Sequence, residues 1–109
     1  MKSVNSVIIG VASVLSFAAL AYAASDVVVD QVGQKFSVPT LTVKAGKTVD
    51  FMNSDDVNHN ITIIDANGNA DDRGIQKPNT TIPVTFDKAG DFVVRCSVHP
   101  RMKMQVKVE

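Results

Sequence analysis

Apolar residues in this chain recur with a period of two. Nowhere over ten or more residues do they follow the period of a helix, so helical packing is excluded and short strands are required. Val27–Val32 is a β-branched run. Phe36, Val38 and Leu41–Val43 read as short strands broken by Pro39. Thr48–Met52 puts Val49 and Phe51 on one face and Thr48 and Asp50 on the other, and Asn60–Ile64 sets Ile61 and Ile63 in register with His59. Thr80–Phe86 resumes strand character, with Pro83 favouring an edge or a bulge. Asp91–Cys96 places Phe92, Val94 and Cys96 on one face, and the last segment does the same with Met102, Met104, Val106 and Val108. Lys44-Ala45-Gly46-Lys47 and Asp87-Lys88-Ala89-Gly90 read as turns, Asn53–Asn58 as a polar loop, and Asp65–Asn79 as the longest irregular stretch. Six to eight such strands in one meander would leave an apolar face open. The expected fold is therefore all-β, a two-sheet Greek-key sandwich.

The N-terminus reads differently. Lys2 is the one charge before a run of apolar and small residues from Val7 to Ala21, which ends in Ala21-Tyr22-Ala23. This is the pattern of a secretory signal peptide over residues 1–23, cleaved after Ala23. The run is short for the roughly 20 residues of a bilayer crossing and no basic cluster follows it. A single exported domain over 24–109 is expected, with no membrane span after cleavage. Charge is balanced, with 11 Lys and Arg against 11 Asp and Glu, which argues against a nucleic-acid partner. The single cysteine, Cys96, excludes an intrachain disulfide; in an exported domain it calls for burial, metal ligation or a reactive thiol.

Cys96, His99 and Met102 fall at three-residue intervals in CSVHPRM. Cys96 ends a strand and points toward the core by parity with Phe92 and Val94; His99 and Met102 are expected on a short loop, Met102 opening the final strand. His59 lies 37 residues earlier, where a strand starts after a polar loop, and can reach the same end of a sandwich. Alone, Cys96 would read as a buried small hydrophobe, His99 as a surface histidine and His59 as a strand-end residue. Together with Met102 they form two imidazoles, a thiolate and a thioether, the donor set of a blue copper site cycling between Cu(I) and Cu(II). Met104 is the rival axial donor but shares its face with Val106 and Val108, as a core side chain would; Met52 has no partner pattern. Zinc would take a stronger fourth ligand than methionine. Asn60 is expected to tie the His59 loop to the Cys96 loop, backbone N–H groups after Cys96 to bond its sulfur, and Pro100 to stiffen the ligand loop.

The stretches GKTVDFMNSDDVNHN and GDFVVRCSVHPRM, with the closing strand, resemble the cupredoxins, small type 1 blue copper proteins. The likeness runs from about Val32 to Glu109. The short His99–Met102 spacing with Pro100 is most similar to the amicyanins; plastocyanins and pseudoazurins have two more residues there. The resemblance implies that His59, Cys96, His99 and Met102 hold copper and that the protein is a soluble periplasmic electron shuttle. Asn58 and Val98 stand where many relatives have proline. The expected partners are transient redox proteins, such as a c-type cytochrome or a periplasmic dehydrogenase, meeting a monomer near an exposed His99 flanked by Pro100 and Val98. No open ligand position and no nucleophile–base pair point to an enzyme. The alternative is a periplasmic copper-binding or delivery protein; a third reading is a copper-free scaffold.

Overall fold

The computed structural model describes residues 27–109, and the signal-peptide expectation for residues 1–23 lies outside them. Among the described residues nine strands form: β1 (Val27–Val32), β2 (Lys35–Phe36), β3 (Thr40–Val43), β4 (Lys47–Asn53), β5 (His59–Ile64), β6 (Ala70–Gln76), β7 (Thr81–Phe86), β8 (Gly90–Cys96) and β9 (His99–Val108). They build a five-stranded sheet in the order β3-β9-β8-β5-β6 and a four-stranded sheet in the order β2-β1-β4-β7. The β9–β3 and β1–β4 pairings are parallel and the others antiparallel, so both sheets are mixed. The expected all-β sandwich is what forms.

The core lies between the sheets. Val29, Val49, Phe51, Val84 and Phe86 come from the smaller sheet; Val43, Ile61, Ile63, Val94, Met104, Val106 and Val108 come from the larger. Phe86 and Phe92 meet edge to face across the gap with ring centroids 5.4 Å apart. Pro83 sits on β7, an edge strand, where its missing N–H costs no ladder bond.

Three expectations are corrected. Asp65–Asn79 is not wholly irregular: Ala70–Gln76 is strand β6, at the edge of the larger sheet. Six of its seven residues are exposed, so no apolar alternation marks it in the sequence. His99 is not on a loop, and Met102 does not open the final strand but lies within it. The connection is Ser97-Val98 alone, and β9 begins at His99, paired with Cys96. The ladder then shifts register between His99 and Lys103. Pro100 cannot donate to that ladder, which accounts physically for the departure.

Four connections gather at one end of the sandwich: residues 33–34, 54–58, 77–80 and 97–98. The candidate residues sit there.

Candidate metal centre

Cys96 is the last residue of β8 and follows Val94 onto the inner face; it is fully buried. His59, also fully buried, is the first residue of β5. His99 stands across the two-residue turn from Cys96 and is half-buried. The Nδ1 atoms of the two histidines are 3.2 Å apart, and the Cys96 Sγ lies 3.8 Å from His59 Nδ1 and 3.6 Å from His99 Nδ1. The rings meet edge to face, with centroids 5.0 Å apart.

This triangle fits a metal ion. A point equidistant from its corners lies about 2.1 Å from each, which matches metal–imidazole lengths of about 2.0–2.1 Å and falls slightly inside a metal–thiolate length of about 2.3 Å. The three residues form a His/Cys cluster with no carboxylate in it. Two imidazoles and a thiolate suit copper in both oxidation states. Met102 is buried on the inner face of β9 and lines the same surface depression as His99. Met104 belongs instead to the contiguous apolar core, as its spacing predicts.

Asp55 fixes His59. Its Oδ2 is 2.7 Å from His59 Nε2, while its two oxygens accept the backbone N–H groups of Gly33 (2.6 Å) and Gln34 (2.9 Å). Burial pushes this carboxyl upward, but the bonds from His59, Gln34 and Gly33 outweigh burial and hold it below its ordinary value. A carboxylate only accepts, so the His59 Nε2–H donates to Asp55, and Nδ1 is the nitrogen that faces the triangle. Gly33 and Gln34 both have positive φ (64° and 58°), as the tight β1–β2 turn requires. Their amides therefore converge on one carboxylate.

Asn60 ties the two ligand-bearing segments together, as expected. Its Oδ1 accepts the Ser97 N–H at 3.0 Å, and its Nδ2 donates to Asp72 Oδ1 and the Gly74 carbonyl. The sulfur contact differs from expectation. The N–H that reaches Cys96 Sγ, at 3.2 Å, belongs to Asn60 on the neighbouring strand, not to a residue after Cys96. The β5–β8 register, extended by two residues, brings Asn60 level with Ser97 and so delivers this N–H to the sulfur.

A buried amide cluster supports the 54–58 loop. Asn53 Nδ2 donates to the Val57 and Gln76 carbonyls, and its Oδ1 accepts the Asp55 N–H. Gln76 Nε2 donates to the Phe51 and Thr80 carbonyls, and Gln31 Nε2 donates to Gln76 Oε1 and the Met52 carbonyl. Gln31, Asn53 and Gln76 carry no signal in the sequence, since a polar residue at a strand end shows no partner until the strands are paired. The short Asp55–His59 spacing was the one clue.

A two-sheet β-sandwich with a buried His–Cys–His cluster at the end of its strands is the framework of a blue copper protein, the cupredoxin class. The family model "Copper binding proteins, plastocyanin/azurin family" matches residues 23–109, and the chain belongs to that family. It is 35% identical over 95 residues to amicyanin of Paracoccus denitrificans, a match covering 85% of this chain and 72% of that one. It is 34% identical over 70 residues to the methylamine utilization protein MauL of Methylorubrum extorquens, covering 64% of this chain and 61% of that one. A solved copper(I) amicyanin bearing a methionine-to-alanine substitution superposes with a TM-score of 0.70 at 30% identity, over 76% of this chain and 81% of that one. Copper is thus the metal of this class, and electron transfer its chemistry.

Proposed function

We propose that the chain is a periplasmic type 1 copper protein that shuttles single electrons between redox proteins, with His59, Cys96 and His99 as the strong ligands and Met102 as the weak axial one. The observation that carries this is the closed triangle of one sulfur and two Nδ1 atoms. Bound copper supplies one reversible electron step between its two oxidation states. The chain supplies the rest. Asp55 holds the His59 Nε2–H and so aims Nδ1 at the triangle. The Asn60 N–H stabilises negative charge on Cys96. His99, the half-buried donor, brings an imidazole edge to the surface beside Val98 and Pro100.

Residues 1–23 are proposed as a cleaved export signal and 24–109 as the working domain. No helix of the described residues is long and apolar enough to cross a membrane. The proposed donors and acceptors are a c-type cytochrome or a periplasmic dehydrogenase, met briefly through a small interface. Methylamine utilisation is the role in the MauL relative's name, and a dehydrogenase donor fits that setting. With His59, Cys96, His99 and Met102 all turned to one ion, no ligand position is left for a substrate, so a carrier is favoured over an enzyme. Repeated voltammetric cycling of the copper-loaded protein with a chelator present tests this. A carrier keeps its copper over many cycles; a delivery protein surrenders it within a few.

A further inference from the structure

The connections at the metal end carry an uneven charge pattern. Lys35 and Arg101 are exposed and line one shallow depression of about 460 Å³ together with Val98, His99, Pro100 and Met102. Neither cation has an ion-pair partner among the described residues. Lys77, in the β6–β7 connection, adds a third cation at this end. Of the carboxylates in the 54–58 loop, Asp55 is consumed by His59, Gly33 and Gln34, which leaves Asp56 exposed; neither lines the depression. Val98 is 46% exposed and Val57 37%, so apolar surface lies beside the charges.

We infer that this face docks a redox protein whose own docking face is acidic, with carboxylates ringed around an exposed cofactor edge. Lys35 and Arg101 meet those carboxylates while Val98 and Pro100 close on the apolar edge beside His99. The inference rests on the electron-carrier reading and adds the partner's chemistry to it. The whole chain has a formal net charge of zero, so any preference for an anionic partner comes from this local arrangement. Such charges act mainly on encounter rate and orientation, as a short-lived complex needs. Lys35 is well placed to hold register. It follows the Gly33-Gln34 turn, whose two amides are bound to the same carboxylate that fixes His59.

The test uses the diamagnetic copper(I)-loaded protein and paramagnetic, substitution-inert complexes of opposite charge. Hexacyanochromate(III) is expected to broaden the amides of residues 33–35, 98, 99 and 101. Hexaamminechromium(III) is expected to leave them sharp. The double variant Lys35→Gln, Arg101→Gln is expected to weaken the anion's association roughly tenfold, with its thermal melting unchanged, and added salt to weaken it in the parent. Broadening centred on Lys44 and Lys88 at the opposite end, equal broadening by the cation, or no change in the double variant would overturn the inference. Because the readout is broadening and not turnover, a protein that cycles electrons but fails this test retains its carrier role and loses only the acidic partner.

Discussion

The segment from Asn53 to His59 and the segment from Cys96 to His99 each bring one histidine to the same triangle. The first is held by side chains at almost every step: Asn53 bonds the Val57 carbonyl and the Asp55 N–H, and Asp55 bonds His59. The second is a two-residue turn with one side-chain tie, Asn60 to the Ser97 N–H. His59 is fully buried with both ring nitrogens engaged. His99 is half-buried, and its contacts run through Nδ1. One histidine is built to stay fixed and the other to meet solvent or a partner.

The sharpest way to break this contrast is to delete each ring. His59→Gly and His99→Gly should each abolish the copper–thiolate absorption. Added imidazole should restore it in His99→Gly, where the vacated space opens outward, and not in His59→Gly. Rescue of both to the same extent would remove the distinction.

Asp55→Asn comes next. It replaces an obligate acceptor of the His59 Nε2 proton with a neutral amide, and copper affinity should fall roughly 10- to 100-fold by competition titration. Faster hydrogen exchange at Gly33 and Gln34 should accompany the loss. No substitution near His99 should produce this pair of effects.

Asn53→Ala strips three bonds from the buried amide cluster and should cost about 1–3 kcal/mol in urea unfolding of the copper-free protein. Ser97→Ala, on the exposed turn, should stay within about 0.5 kcal/mol.

The smallest effect is acid sensitivity. Asp65 is lowered from 3.8 chiefly by the Asn69 N–H, and Asp72 chiefly by the Gly74 N–H and then the Asn60 side chain. A lowered folded value means their stabilisation is complete above 3.8 and is lost as pH falls through the folded values. Urea midpoints should therefore be flat above that point and decline below it. Asp65→Asn should soften the decline without altering copper affinity, whereas Asp72→Asn should also loosen the Asn60 tie.

The same contrast governs what the sequence disclosed. Strands with one apolar face, such as Thr48–Met52 and Met102–Val108, were legible because burial on one side imposes alternation. Strand β6 was not, because an exposed edge needs none. Cys96, His99 and Met102 were legible because a three-residue interval at a strand end is a local pattern. The Asn53, Gln31 and Gln76 cluster joins residues 21 to 45 positions apart, and only the packing of the β6 end of one sheet on the paired β1 and β4 ends of the other brings them together. Donation of the Asn60 N–H to Cys96 is likewise a matter of register between β5 and β8, which no single strand encodes.

The most direct measurement is the visible and paramagnetic-resonance spectrum of the protein loaded with one equivalent of copper(II), set beside Cys96→Ala. An intense thiolate-to-copper visible band with a compressed copper hyperfine splitting, both absent in Cys96→Ala, is the expected result. A pale copper complex with ordinary hyperfine splitting, unchanged by Cys96→Ala, would contradict the account.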